Sequence, residues 1–151
     1  MNFESVVELA HAEGRDLLNE VEAKQLLAQA GVPVVETVLA SSVEEAKLAA
    51  EKIGYPVVVK VVSADISHKS DVGGVKIGLA DAEEVSQAYQ AIMENSREAV
   101  PDAVITGVAV QGMALEGIEV IVGMVRDPQF GPVMMFGLGG IFVELLKDVS
   151  F

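Results

Sequence analysis

The chain has 151 residues, 51% of them apolar, and 23 acidic against 10 basic side chains give a net charge of −13. That length fits one ordinary domain with ample core, and the acidity argues against general binding to nucleic acid or to an anionic membrane. With no cysteine in the sequence, disulfides, thiolate metal sites and a cysteine nucleophile are excluded.

In chain order, residues 3–13 read as a first helix with Phe3, Val6, Val7 and Ala10 on one face. Its acidic opening does not resemble a signal peptide, so a cytoplasmic protein is expected. His11, on the same helix, is given no role. Asn19-x-x-Glu22 is a capping box, opening a helix that Gly31 stops with Pro33 just beyond. VVETVL (34–39) reads as a strand. Ser42-x-x-Glu45 opens a second capped helix, with Val43, Ala46, Ala50 and Ile53 at helical spacing and Gly54 at its end. PVVVKVV (56–62) is a strand of buried character, and VKIGL (75–79) alternates as its return. Asp81-x-x-Glu84 opens a third capped helix with Val85, Ala88, Tyr89 and Ile92 inward. AVITGVAVQ (103–111) is a strand, and Ile118, Val120, Val122 and Met124 alternate in another that ends at Asp127-Pro128. VMMF (133–136) precedes the loop Gly137-Leu138-Gly139-Gly140. The uncharged run 128–143 is too short and too broken by proline and glycine to span a membrane. Helices mixed with strands, some of them in hairpins, indicate an α+β fold.

The segment from Pro56 to Gly78 carries the chemistry. A strand delivers Lys60 into a polar loop that ends at Gly73-Gly74 and returns as a strand. A lysine there is a point charge for phosphate oxygens, and glycines let backbone N–H groups approach an anion. The pattern is neither GxxxxGK[ST] nor a GxGxxG opening a helix. Residues 60–76 hold Lys60, Lys69 and Lys76 against Asp65 and Asp71, a basic island in a chain whose remainder has 21 acids and 7 bases. Read blandly, Lys69 and Lys76 solvate strand edges, but Lys60 inside VVVKVV is too costly a core charge to be idle.

Three stretches carry a family resemblance: EAKQLLAQAGVPV (22–34), YPVVVKVVSADISHKSDVGGVKIGL (55–79) and VQGMALEGIEVIVGMVRDPQFGPVMMFGLGGIFVELLKDVSF (110–151). They resemble the ATP-grasp domain of nucleoside-diphosphate-forming acyl-CoA synthetases, as in the β subunit of ADP-forming acetate–CoA ligase. The resemblance implies an N-terminal helical extension (1–18), a nearly complete first lobe with the phosphate loop (19–111) and the start of an incomplete second lobe (112–151). It implies ATP or ADP between the lobes, with Lys60, Lys69, Ser70, Gly73 and Gly74 at the phosphates. Gln111, Met113 and Ala114 would pass the adenine, and Glu119 would bind the ribose hydroxyls. His68, the expected catalytic residue, would lie beside the γ-phosphate as a relay station or as a hydrogen-bond donor. Gly139, Gly140 and Glu144 would lie on the phosphate path toward a CoA-binding α subunit, whose own histidine carries phosphate to the nucleotide. The family's magnesium ligands, an acid and an asparagine, would fall beyond residue 151, so the chain is expected to be a fragment or a shortened form, inactive alone. Strand edges left unpaired in a shortened second lobe would favour self-association or reliance on the α subunit. The activity implied is acyl-CoA + ADP + phosphate ⇌ acid + CoA + ATP. Two other readings stay open: an ATP-grasp-like region attached to a protein-lysine acetyltransferase, and a non-catalytic nucleotide-sensing or assembly module.

Overall fold

Polar side chains at the helix starts fix where the elements begin. In the computed structural model, which describes residues 3–139 and 149–150, α1 spans Phe3–Ala12. Then α2 (Glu20–Gln29) starts from a complete capping box. The Asn19 side chain accepts the N–H groups of Val21 and Glu22, both at 3.0 Å, and the Glu22 carboxylate accepts the Asn19 N–H at 2.8 Å. The starts of α3 (Val43–Ile53) and α4 (Ala82–Ala99) vary this theme. Ser42 and Asp81 cap as expected, but Glu45 and Glu84 reach one residue further back, to the N–H groups of Ser41 (2.8 Å) and Ala80 (2.7 Å).

Between these helices run β1 (Thr37–Ala40), β2 (Val57–Ser63), β3 (Val75–Leu79) and β4 (Ile105–Gly112). They form one antiparallel sheet in the order β1-β4-β2-β3. The first strand begins later than the 34–39 expected from sequence. It pairs only from Thr37, opposite Gln111, because β4 ends one residue beyond, at Gly112.

Alternation along β2 and β4 gives the sheet two different faces. Val57, Val59 and Val61 of β2 and Val108 and Val110 of β4 are fully buried with Ala46, Ala50, Val85 and Ile92, so α3 and α4 cover that face. Val58, Lys60 and Val62 point the other way, beside Ala109 and Gln111. There the apolar cover is thin, with Val21 of α2 on Val62 and Ala109. The opposite face is therefore where a charged side chain can stand half-buried.

The chain divides into two units, residues 1–114 and 115–151. In the second, β5 (Val120–Asp127) and β6 (Gly131–Leu138) form a full-length hairpin, and β7 (Val149–Ser150) pairs with β6. The Asp127 carboxylate closes the turn by accepting the N–H groups of Gln129 (2.8 Å) and Phe130 (2.9 Å). Val122, Met124, Phe130, Met134 and Phe136 are all more than half exposed. No helix among the described residues is long and apolar enough to cross a membrane.

Candidate functional site

Lys60 stands where the α2-facing side of the sheet meets the start of α2. Its Nζ donates to Glu20 Oε1 at 2.8 Å and to Gln111 Oε1 at 3.2 Å. Lys24, one helical turn after Glu20, donates to the same Gln111 oxygen at 2.6 Å, to Thr37 Oγ1 at 3.0 Å, and pairs with Glu20 at 2.9 Å. Thr37 in turn donates to the Val35 carbonyl at 2.9 Å. Register explains the convergence: Gln111 lies opposite both Thr37 and Val58, and Ala109 opposite Lys60. Directly opposed residues share a face, and alternate residues of one strand do too, so Thr37, Lys60 and Gln111 point to the same side.

All three charged side chains of this cluster are about one-fifth exposed. Two ammonium groups and one carboxylate leave a net charge of +1 in partly desolvated surroundings, an arrangement suited to an anion. Burial pushes the Glu20 carboxyl up, but hydrogen bonds from Lys60 and Lys24 and their charges outweigh it, leaving its pKa below the ordinary 4.5. Glu22 behaves alike: burial raises it, and Arg15 at 2.8 Å with the Asn19 N–H brings it below 4.5. A carboxylate whose folded pKa is lowered stabilises the fold fully above its unfolded pKa, and loses that contribution as pH falls through the folded value. Denaturant unfolding should therefore show stability dropping below roughly pH 4.5, and the Glu20→Gln/Glu22→Gln double variant should lose visibly less on acidification. Equal acid loss in both proteins would contradict the assignment.

The residues expected at the nucleotide, Lys60 at the phosphates and Gln111 at the adenine among them, divide in two. Lys60 and Gln111 come together. Lys69, half-buried, lines a cavity of about 380 Å³ shared with Glu20, Arg15, Asn19, Ser63 and Ser67. The glycine pair behaves differently from the open anion cradle expected. Gly73 donates its N–H to the Ser70 carbonyl (3.1 Å) and Gly74 to the Lys69 carbonyl (2.8 Å), so both amides are engaged within the loop. Glycine is required here by packing. Gly73 has φ +64°, and a Cβ on Gly74 would lie 2.6 Å from Val61 Cγ1 and 2.9 Å from the Lys69 carbonyl oxygen. His68 and Ser70 are exposed on the same loop, and Met113 and Ala114 are exposed just after β4.

In the second unit Glu119 and Gly139, reached separately from the sequence, are neighbours. The Gly139 N–H donates to the Glu119 carbonyl at 2.8 Å, and a Cβ on Gly139 would lie 3.1 Å from the Glu119 Cβ. Gly140 and Glu144 lie outside the described residues. Glu20, Lys24 and Thr37 went unread in the sequence, because a Glu–Lys pair four apart on a helix normally reads as a surface ion pair. The signal was positional: both follow directly from a capping box that fixes which side of α2 faces the sheet.

Residues 9–151 match the ATP-grasp domain family. The chain belongs to that family. It is 56% identical to the β subunit of ADP-forming acetate–CoA ligase I of Pyrococcus furiosus, over 97% of this chain and 62% of that subunit. Among solved structures it is similar to the dinucleotide-forming acetyl-coenzyme A synthetase 1 of Candidatus Korarchaeum cryptofilum in complex with coenzyme A and Ca-AMPCP, with a TM-score of 0.94 and 51% identity over 98% of this chain and 65% of that one. Another structure of that enzyme holds coenzyme A and Mg-AMPPCP, with a phosphohistidine segment pointing towards the nucleotide binding site. It matches with a TM-score of 0.79 and 46% identity, over 97% of this chain and 62% of that one. The chain thus spans a little over three-fifths of the length of these relatives. Among the described residues of this ATP-grasp chain, no group of three or more acidic or histidine side chains is placed to hold a metal.

Proposed function

We propose that the chain is the nucleotide-binding part of an ADP-forming acyl-CoA synthetase, working with a CoA-binding α subunit or domain. The observation carrying this is Lys60, half-buried on the sheet face and hydrogen-bonded to Gln111, in a chain 56% identical to a named ligase subunit. The overall reaction is acyl-CoA + ADP + phosphate ⇌ acid + CoA + ATP. Inorganic phosphate displaces CoA to give an acyl phosphate. The phosphoryl group then moves to a histidine nitrogen of the partner, releasing the acid, and next to a terminal oxygen of ADP. Such transfer is mainly a matter of positioning and electrostatics. Lys60 would hold the terminal phosphates, Lys69 and Ser70 would supply donors from the loop, and the backbone from Gln111 to Ala114 would meet the adenine. Glu119, with Gly139 beside it, would take the ribose hydroxyls. Magnesium, when bound, neutralises charge developing on the transferred phosphoryl group. The similar proteins are named as ligases and synthetases, which gives no support to the acetyltransferase-attached or the non-catalytic reading.

The test is formation of ATP from acyl-CoA, ADP and phosphate by this chain in its complete complex. ATP formed from acyl-CoA, AMP and pyrophosphate, and not from acyl-CoA, ADP and phosphate, would contradict the reading. His68, exposed at the loop, is assigned a part in the transfer, since an imidazole nitrogen can act as a nucleophile or as a hydrogen-bond donor. His68→Ala should cut turnover far more than ADP affinity, the pattern of an interaction made mainly in transfer. His68→Asn keeps a donor, so recovery of the rate by Asn marks a donor and its failure marks a relay. Wild-type turnover in the Ala variant removes His68 from the mechanism.

A further inference from the structure

Counting donors separates the two lysines. Lys24 has three N–H groups and three acceptors, on Glu20, Gln111 and Thr37, so none remains for a ligand. Lys60 has two of its three engaged among the described residues, by Glu20 and Gln111. A single carboxylate oxygen, Glu20 Oε1, accepts from both lysines at once. An anionic group of the protein therefore already sits on Lys60.

Two features let that carboxylate move without being stranded. Glu20 is the first residue of α2, and the positive end of the helix dipole favours a negative charge nearby in more than one orientation. It also borders the cavity of about 380 Å³ that Lys69, Ser63 and Ser67 line, which offers room and a cation in its lining. Gln111 and Thr37 keep Lys24 anchored if Glu20 leaves, so the frame around Lys60 survives the exchange.

We propose that Glu20 is a stand-in for a phosphate oxygen on Lys60, and that the polyphosphate of a nucleoside diphosphate or triphosphate displaces it. This rests on the nucleotide-binding reading above. Glu20 thereby sets what Lys60 accepts. A singly charged anion gains nothing over the carboxylate already in place, whereas a terminal phosphate of higher charge does. The carboxylate costs some nucleotide affinity and keeps the lysine side chain formed and neutralised between ligands.

The experiment is calorimetric titration of the complete complex carrying the wild-type chain, Glu20→Gln or Glu20→Ala with ADP and with adenosine, the fold of each checked by thermal unfolding. Both variants should bind ADP more tightly, by roughly fivefold, the scale of a partly exposed ion pair. Adenosine, lacking phosphate, should bind all three proteins alike. ADP affinity that is unchanged or weaker in both variants would overturn the proposal and make Glu20 a fixed positioning residue. If no protein of the three binds ADP, the nucleotide reading itself fails and takes this proposal with it, an outcome distinct from unequal or equal binding.

Discussion

Replacing Lys60 by alanine should weaken ADP binding about ten- to hundredfold, the worth of a charge-assisted hydrogen bond at roughly 1.5–3 kcal/mol. The effect is large because Lys60 is the lysine of the cluster with a donor still to give. It should also be clean. Lys24 continues to hold Glu20 and Gln111, at 2.9 Å and 2.6 Å, so the loss leaves neither a buried carboxylate nor a buried amide oxygen alone. Thermal unfolding should shift little, since a partly exposed ion pair contributes about 0–1 kcal/mol. Calorimetry giving equal ADP affinity in wild type and a folded Lys60→Ala variant would reject the assignment.

Gly74→Ala should be the most damaging single methyl in the phosphate loop. The added Cβ meets Val61 Cγ1 at 2.6 Å and the Lys69 carbonyl oxygen at 2.9 Å. Neither neighbour can give way easily. Val61 is β-branched and fully buried in the sheet, and the oxygen is backbone that accepts the Gly74 N–H itself. Overpacking of this kind costs about 1–3 kcal/mol, and it also forces the Lys69–Gly74 turn away from β2, where the Gly74 carbonyl accepts the Val61 N–H at 2.8 Å. Loss of stability and loss of ADP affinity should therefore appear together. A variant as stable as wild type with an unmoved affinity would mean the loop absorbs the methyl, and the close packing beneath it carries no functional weight. Gly73→Ala meets the tip of the Asn95 side chain at 2.8 Å, a movable group, and pays mainly for its φ of +64°.

Much of the fold was legible because local signals were unambiguous. Asn19, Ser42 and Asp81 announced three helix starts, and each caps as read. The apolar run around Lys60 placed it on a strand, and the alternation of VKIGL made the next segment its return, which the pairing of Lys60 with Val75 bears out. Two things were not legible. Strand starts depend on the partner: β1 begins at Thr37, opposite Gln111 near the end of β4, and nothing in VVETVL marks that. The second is the use of a glycine. GG after a lysine loop looks the same in sequence whether its amides face a ligand or close a turn, and only the bonds of those amides to the Ser70 and Lys69 carbonyls distinguish them. The Glu20–Lys24 pair was hidden for a related reason. Four-residue spacing says the two side chains meet, while the register of β4 decides that they meet Lys60 and Gln111 as well.

The central claim is that the α2-facing side of the first sheet, around Lys60, is where a nucleotide's phosphates bind. Backbone and side-chain NMR of the chain titrated with ADP tests this most directly, because it reports location as well as affinity. The largest shift changes should fall on Glu20, Lys24, Lys60, Gln111 and the loop from Ser63 to Gly74, with α3, α4 and the sheet face they cover little affected. Changes concentrated on α3 and α4, or none at saturating ADP, would contradict the account.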